Sequence, residues 1–265
     1  MHVTYLDPRK YYSNQRLDDI MLLVPSYVQP DVRTHGCIDQ LIRLGADITS
    51  SYGCSDPALH RCLVAGRAMS QIESHPEKYK YVCWIDDDMV FSPSHLMFLR
   101  QSAMALSASV TGIYCRRGDP TTACVRHIPS QHPPICERNT LLFSEGEQAS
   151  FTAYPVTAGM GCLLVPVEDF MRHCASCPVA DISLNTGEKT VVVGVCSSQM
   201  GGVPGAFGWV SEDESYCEGL WIHGGGVWSV PIAFGHMSTV PLAPDPDACW
   251  LGEVRAGSAQ QSPSI

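Results

Sequence analysis

Tyr81-Val82-Cys83-Trp84-Ile85-Asp86-Asp87-Asp88-Met89-Val90-Phe91 is the most informative stretch of the chain: an apolar run leads directly into three consecutive aspartates. A short apolar run of this kind is typical of a strand buried on both faces of a sheet. Carboxylates at the end of such a strand repel each other and lose hydration, and a divalent cation among their oxygens relieves both effects. Hard oxygen ligands suit Mg²⁺ or Mn²⁺. An acidic turn that caps the next helix is the alternative interpretation.

Short apolar runs alternate with helical patterns on both sides of this stretch. The patterns predict strands over 20–24, 46–50 and 109–114, and helices over 32–44, 57–74 and from 93 onward, the last with Leu96, Leu99 and Met104 on one face. Such alternation predicts an α/β fold with a mainly parallel sheet covered on both faces. After residue 115 the pattern becomes mixed and rich in loops, with further apolar runs at 140–143, 160–165 and 190–195. We expect one domain over 1–239 and a loosely ordered tail over 240–265.

Composition narrows the class of protein. The 265 residues are 45% hydrophobic and 17% charged, which is ordinary for a globular domain. The net charge of −10 argues against broad nucleic-acid binding. Residues 1–10 lack the pattern of a signal peptide, and no apolar run is long enough to span a membrane, so we expect a cytoplasmic protein. Thirteen cysteines without a secretion signal suggest reduced, buried packing residues.

Two further features carry chemistry. Ser211-Glu212-Asp213-Glu214-Ser215-Tyr216-Cys217 predicts a helix whose first turn is acidic, which the positive end of the helix dipole favours. Ile232-Ala233-Phe234-Gly235-His236-Met237 predicts a strand that ends in an imidazole. Helix capping and a structural histidine are the plain alternatives for these two features.

In their order along the chain these motifs resemble the GT-A-fold glycosyltransferases, which use nucleotide sugars. The likeness rests on the DxD-type triplet Asp86-Asp87-Asp88, on the acidic helix start at 211–217 and on Gly235-His236. Val24-Pro25-Ser26-Tyr27, residues 110–117 and Thr157-Ala158-Gly159-Met160-Gly161-Cys162 match further parts of the pattern. The resemblance covers residues 20–239 and implies a Rossmann-like GT-A fold, with a mixed but mainly parallel sheet and helices on both faces.

The resemblance implies metal-dependent transfer of a sugar from a nucleoside diphosphate to an acceptor hydroxyl. Asp88 would be the main protein ligand of Mn²⁺ or Mg²⁺, with His236 as second ligand and Asp86 nearer the ribose or sugar. Asp213 would be the catalytic base and Glu212 would orient the acceptor or donor sugar. Whether the anomeric configuration is inverted or retained stays open.

The resemblance also implies where the substrates bind. The donor, with a UDP-sugar favoured, would contact Pro25, Ser26, Tyr27, Arg67, Asp86 and Asp87, while Gly159 and Trp209 would face the donor or acceptor sugar. Ala68 follows Arg67 where the family often has asparagine. The acceptor would be a glycan or a hydroxymethylated base in viral or phage DNA, and for a viral protein the location would be the host cytoplasm. A local phosphate groove could form from Arg116, Arg117, Arg126, His127 and His132.

Other interpretations remain at this point. Cys124, His127, His132 and Cys136 are a candidate structural Zn²⁺ set, as are Cys174 and Cys177 with His173, although neither spacing is that of a common zinc finger. A nucleotidyltransferase would also bind a nucleotide at an acidic metal site, but residues 25–30 contain neither the glycine nor the lysine of its usual phosphate loop. A non-catalytic, metal-stabilised sugar-binding module is the third hypothesis.

Overall fold

The structure, a computed structural model, describes residues 16–26, 30–52, 56–116, 119–127, 137–142, 148–183, 187, 189–196, 199–203 and 206–236. The helices are α1 (Val32–Arg43), α2 (Pro57–Ser74), α3 (Pro93–Leu106), α4 (Val167–Ser176) and α5 (Glu212–His223). The strands are β1 (Ile20–Ser26), β2 (Asp47–Tyr52), β3 (Tyr81–Ile85), β4 (Met89–Val90), β5 (Ser109–Ile113), β6 (Cys115–Arg116), β7 (Asp119–Ala123), β8 (Val125–His127), β9 (Glu137–Leu142), β10 (Gln148–Ala158), β11 (Cys162–Pro166), β12 (Val179–Ser183), β13 (Lys189–Val193), β14 (Gln199–Val203), β15 (Ala206–Val210), β16 (Val227–Ala233) and β17 (Gly235–His236).

The central sheet is mixed but mainly parallel, as the sequence predicts. Its strand order is β2-β1-β3-β11-β5-β16-β10-β8, with β9 paired to β10. Strand β1 is parallel to both β2 and β3, and β16 is parallel to β5. Because β11 is antiparallel to both β3 and β5, those two strands share one direction. The chain therefore has a Rossmann-like α/β fold, in which β2, β1, β3, β5 and β16 all end at the same edge.

Helices cover both faces of this sheet, and the side chains of β1 alternate between the two cores. Leu22 and its even-numbered neighbours pack with α1 and α3, whereas Met21 and Leu23 pack with α2, α4 and α5. All three are fully buried. This two-sided burial explains why β1 and β3 appear in the sequence as continuous apolar runs.

The starts of α2 and α5 follow from local side-chain chemistry. Asp56 accepts from the backbone N–H groups of Ala58 and Leu59, and Pro57 is the first residue of α2. Ser211 and Glu214 form a reciprocal capping box at α5. These caps satisfy N–H groups that lack a partner within the helix. The predicted helix over 57–74 and the acidic helix start are both confirmed.

The prediction that Met104 shares the buried face of α3 is wrong. Leu96 and Leu99 are buried, but Met104 is 62% exposed. At about 100° per residue, Met104 lies roughly 140° around the helix from Leu99 and therefore lies outside the buried face.

The expected packing role of the cysteines is confirmed for Cys37 and Cys83 in one core, and for Cys174 and Cys217 in the other. In the part of the chain that the structure describes, no helix is long and apolar enough to cross a membrane. Residues 240–265, expected to form a loose tail, lie outside it.

Close packing of α2 against β13 gives a test of this fold. A Cβ atom on Gly66 would lie 2.1 Å from the backbone oxygen of Val191, so Gly66→Ala requires the strand to move. We expect Gly66→Ala to lower the free energy of unfolding by about 1–3 kcal/mol in urea denaturation.

Gly36 in α1 is the matched control, because a Cβ atom there meets nothing within 4 Å. Gly36→Ala should raise the free energy of unfolding by roughly 0.5–1 kcal/mol, since alanine favours the helix. Equal effects of the two substitutions would contradict the packing of α2 on β13.

Candidate active site

The aspartate triplet lies in a turn between β3 and β4, at the carboxyl edge of the sheet. The backbone N–H of Asp86 donates to the oxygen of Gly161 at 3.1 Å, which extends the pairing of β3 with β11 by one residue. Asp86 and Asp87 are partly exposed, whereas Asp88 is only 8% exposed. Binding sites of open α/β sheets occur at this edge, beyond the strand ends.

A buried arginine from α2 joins the triplet to the start of α5. Arg61 Nη2 donates to Asp86 Oδ1 at 2.9 Å, and Nη1 donates to Glu212 Oε1 at 2.8 Å. Nη1 also lies 2.9 Å from Asp213 Oδ1, as an ion pair without hydrogen-bond alignment. The Arg61 side chain is 6% exposed and the three carboxylate side chains are 21–29% exposed. The guanidinium therefore lies beneath three carboxylates that remain accessible to solvent.

Aromatic and thiol contacts fix the first turn of α5 above β3. The ring of Tyr216 is fully buried and meets Trp84 of β3 edge to face, with centroids 5.6 Å apart. Cys217 Sγ donates to the oxygen of Ala158 at 3.3 Å. Because Tyr216 and Cys217 follow Asp213 by three and four residues, these contacts set the position of its carboxylate next to the triplet.

The charges of the cluster are strongly coupled. Burial acts to lower the pKa of Arg61, but the surrounding carboxylates, Asp86 first among them, raise it well above its ordinary value. Burial raises the pKa of the Asp213 carboxyl to about 6; Arg61 opposes this increase, while the negative charge of Asp86 adds to it. Asp213 is therefore a carboxylate at neutral pH that takes up a proton in mildly acidic solution.

The turn at 159–161 and the Tyr114 ring line the cluster on another side. The Tyr114 hydroxyl accepts from the backbone N–H of Gly161 at 2.8 Å. A Cβ atom on Gly159 would lie 2.4 Å from the Tyr114 hydroxyl and 3.6 Å from Asp213 Oδ2. Burial, together with the charges of Asp86 and Asp213, raises the pKa of Tyr114 well above its ordinary value. Only glycine fits at position 159 without displacing the ring.

The exit of β1 contacts the same triplet. Ser26 Oγ donates to Asp87 Oδ2 at 2.7 Å. The backbone N–H of Asp31 donates to the backbone carbonyl oxygen of Asp87 at 2.8 Å. Pro25 is next to Ser26 on β1, while Tyr27 lies outside the described residues. Of the predicted site, the structure thus brings together Ser26, Asp86 and Asp87 with Glu212, Asp213 and Gly159.

Other predicted site residues lie elsewhere or are described only in part. Arg67 Nη1 donates to the oxygen of Ser50 on the edge strand β2, and its side chain lines a cavity of about 880 Å³ between α2 and the β12–β13 hairpin. His236 of β17 pairs with Met89 of β4, the residue that follows Asp88. Trp209 of β15 pairs with Met200 of β14. The side chains that the structure describes do not include those of His236 and Trp209, nor those of the basic set at 116, 117, 126, 127 and 132.

The candidate zinc sets gain no support. Among the residues described, no group of three or more His, Cys, Asp or Glu side chains is arranged to hold a metal ion. His132 and Cys136 lie outside that part of the chain, as does the side chain of His127, so the set with Cys124 stays a prediction. In the second set, His173 Nε2 is hydrogen-bonded to the oxygen of Val195 at 2.9 Å.

Arg61 is a site residue that was not predicted from the sequence; Arg67 and Arg116 were the predicted cations. One signal was present: Arg61 interrupts an otherwise apolar and small-residue face of α2 that includes Val64, Ala65 and Ala68. A charged residue on a buried helix face needs a partner of opposite charge.

Comparison with known proteins identifies no family. No family model matches the chain, and no curated protein matches it. The solved structures similar to it include A197 from STIV, at 12% identity and a TM-score of 0.36 over 57% of this chain and 66% of that one. They also include a mutant UDP-glucose pyrophosphorylase from Leishmania major, at 8% identity and a TM-score of 0.33 over 72% of this chain and 62% of that one. The chain thus spans slightly less than two thirds of either protein.

Removal of the guanidinium tests the cluster. Arg61→Met leaves three carboxylates without their cation, and we expect it to lower the free energy of unfolding by about 3–5 kcal/mol at pH 8. Arg61 also opposes the increase in the pKa of Asp213, so without it this pKa moves further above its ordinary value of 3.8. A carboxyl with a higher pKa when folded than when unfolded binds more protons when folded, so its destabilising effect decreases as the pH falls.

Urea denaturation at pH 8 and pH 5 should therefore show a smaller loss at pH 5. Arg67→Met is the matched control on the same helix, because Arg67 donates to the backbone oxygen of Ser50, and its substitution should cost less than that of Arg61 at pH 8. Equal losses for the two variants would show that Arg61 is not the cation of a carboxylate cluster.

Proposed function

We propose that the chain is a glycosyltransferase that moves a sugar from a nucleotide sugar to an acceptor hydroxyl. The observation that carries this proposal is the meeting of Asp86 with Glu212 and Asp213 on one guanidinium, although 126 residues separate Asp86 from Glu212. The meeting point lies at the carboxyl edge of the sheet, where open α/β folds bind their ligands.

Asp213 is our candidate for the base. Its carboxylate is partly exposed, and its pKa of about 6 is close to neutrality, where a general base is most effective. In the transfer, Asp213 takes the proton of the acceptor hydroxyl, the acceptor oxygen bonds to the anomeric carbon, and the bond from that carbon to the nucleoside diphosphate breaks. Arg61 keeps Asp213 and Glu212 in place, and Glu212 orients the acceptor or donor sugar.

A Mn²⁺ or Mg²⁺ ion fits the chemistry of the triplet. Asp88 supplies hard carboxylate oxygens, and the backbone of His236 lies opposite Met89, the residue that follows Asp88. Asp88 and His236 are our candidate ligands, and diphosphate oxygens would complete the coordination. Such an ion neutralises the charge that develops on a leaving diphosphate.

For the donor and the acceptor, we propose classes of molecule. The nucleotide, with UDP favoured, would contact Ser26 and Asp87 at the β1 exit, and the donor sugar would lie over Gly159 between Tyr114 and Asp213. A side chain at position 159 would collide with the Tyr114 hydroxyl, which lies next to Asp213. A glycan or a modified DNA base would be the acceptor.

Nucleotide release tests the reaction class. The protein is incubated with a panel of nucleotide sugars and Mn²⁺, with and without candidate acceptors, and the products are identified by chromatography. Release of nucleoside diphosphate supports a glycosyltransferase. Formation of nucleoside triphosphate on addition of pyrophosphate would indicate a nucleotidyltransferase, and no turnover of any donor would favour a binding module.

Substitution of the proposed base separates binding from chemistry. Asp213→Asn keeps the shape but removes the basic oxygen, so we expect donor affinity in calorimetry to stay within about twofold while transfer falls by about 10²–10⁴-fold. In the native protein, transfer should decrease as the pH is lowered through about 6, because Asp213 becomes protonated.

Glu218→Gln, on the exposed face of α5, is the control and should leave both quantities unchanged. If Asp213→Asn transferred sugar at the native rate, the base would have to be another group.

Substitution of Asp88 tests the metal. Asp88 is buried, so the near-isosteric Asp88→Asn preserves packing better than alanine would. We expect Asp88→Asn to weaken Mn²⁺-dependent binding of nucleoside diphosphate by at least about tenfold in calorimetry, since it removes a charged ligand of the ion. Thermal unfolding without metal checks that the variant is folded. Unchanged Mn²⁺-dependent affinity would exclude Asp88 as the main ligand.

A further inference from the structure

Two cysteines lie next to the candidate active site, where α2 passes the segment that follows β13. Cys62 Sγ donates to the backbone oxygen of Cys196 at 3.5 Å, and Cys196 Sγ lies 3.9 Å from the oxygen of Ala58, one turn earlier in α2. Each cysteine is 6% exposed. The two side chains thus cross between the same two segments, and the Cys62 thiol contacts the backbone of Cys196.

The electrostatic surroundings distinguish this pair from the other buried cysteines. The Cys196 side chain lowers the pKa of Cys62 to about 7, against the effect of burial, and backbone hydrogen bonds from Cys196 and Val195 act in the same direction. The Cys62 side chain and burial raise the pKa of Cys196 well above its ordinary value. By contrast, burial raises the pKa of Cys217 to about 12. Cys62 is therefore the thiol with nucleophilic thiolate character, and Cys196 keeps its proton next to it.

We propose that Cys62 and Cys196 form a reversible disulfide when the protein meets a peroxide. The Cys62 thiolate attacks one peroxide oxygen, the O–O bond breaks, and Cys62 becomes a sulfenic acid while the other oxygen leaves as water after protonation. Cys196 then attacks the sulfenic sulfur, the S–S bond forms, and the sulfenic oxygen leaves as a second water. Two thiols are oxidised and one peroxide is reduced to two waters.

The position of the pair couples this chemistry to the site. Cys62 directly follows Arg61, and the charges of Arg61 and Asp213 both act on the pKa of Cys196. A disulfide would tie α2, the helix that carries Arg61, to the segment after β13. The oxidation of these two cysteines does not depend on which reaction the site performs.

Peptide mapping of the full chain tests the proposal. The native protein is treated with hydrogen peroxide, alkylated after denaturation and digested with and without prior reduction. The expected result is the loss of two free thiols per chain and a cross-linked peptide that joins Cys62 to Cys196 and disappears on reduction with dithiothreitol. Retention of both thiols, or pairing of Cys62 with Cys174 or Cys177, would overturn the assignment.

Two variants sharpen the result. Cys196→Ala should abolish the cross-link and leave Cys62 as sulfenic acid, which a dimedone probe captures, whereas Cys217→Ala should leave the cross-link unchanged. If Cys196→Ala does not fold, the map of the native protein decides alone. A cross-link of undiminished yield in a folded Cys196→Ala protein would contradict the proposal.

Discussion

A single buried guanidinium holds the candidate site together. Arg61 lies below the sheet edge with its charge removed from bulk water, and such burial is costly unless carboxylates compensate it. Asp86 and Asp213 do so from different parts of the chain, together with Glu212. The arrangement is mutually dependent: the arginine needs the carboxylates, and without the arginine the three like charges would repel each other.

The rest of the fold serves to bring these groups to one point. Strand β3 ends at Ile85, directly before Asp86, in the middle of the sheet, and α2 covers the face from which Arg61 reaches this point. The Tyr216–Trp84 contact ties α5 to that same strand. Chemistry at the edge of the sheet therefore depends on packing inside it, since a shift of α5 on β3 would move Asp213 away from Arg61.

The sequence was informative where one local pattern carries the structure. Three elements were predicted from their own residues and immediate neighbours: α2 from the Asp56-Pro57 cap, β3 from its apolar run, and α5 from the acidic start at Ser211. The prediction for Met104 was wrong, because helical spacing from Leu96 and Leu99 does not place Met104 on the buried face of α3. Arg61 could not be assigned a role, because its partners lie 25 and 151 residues away and their convergence depends on strand order, which no local pattern records. Arg67 was predicted instead, because the family resemblance places it at the donor site.

The most direct test is a crystal structure of the chain with a nucleotide sugar and Mn²⁺. We expect the diphosphate to lie at the Asp86–Asp88 turn, the anomeric carbon to face the Asp213 carboxylate, and Arg61 to contact the start of α5. A nucleotide bound away from the carboxyl edge of the sheet, or an Arg61 side chain directed into solvent and apart from Asp86 and Asp213, would contradict it.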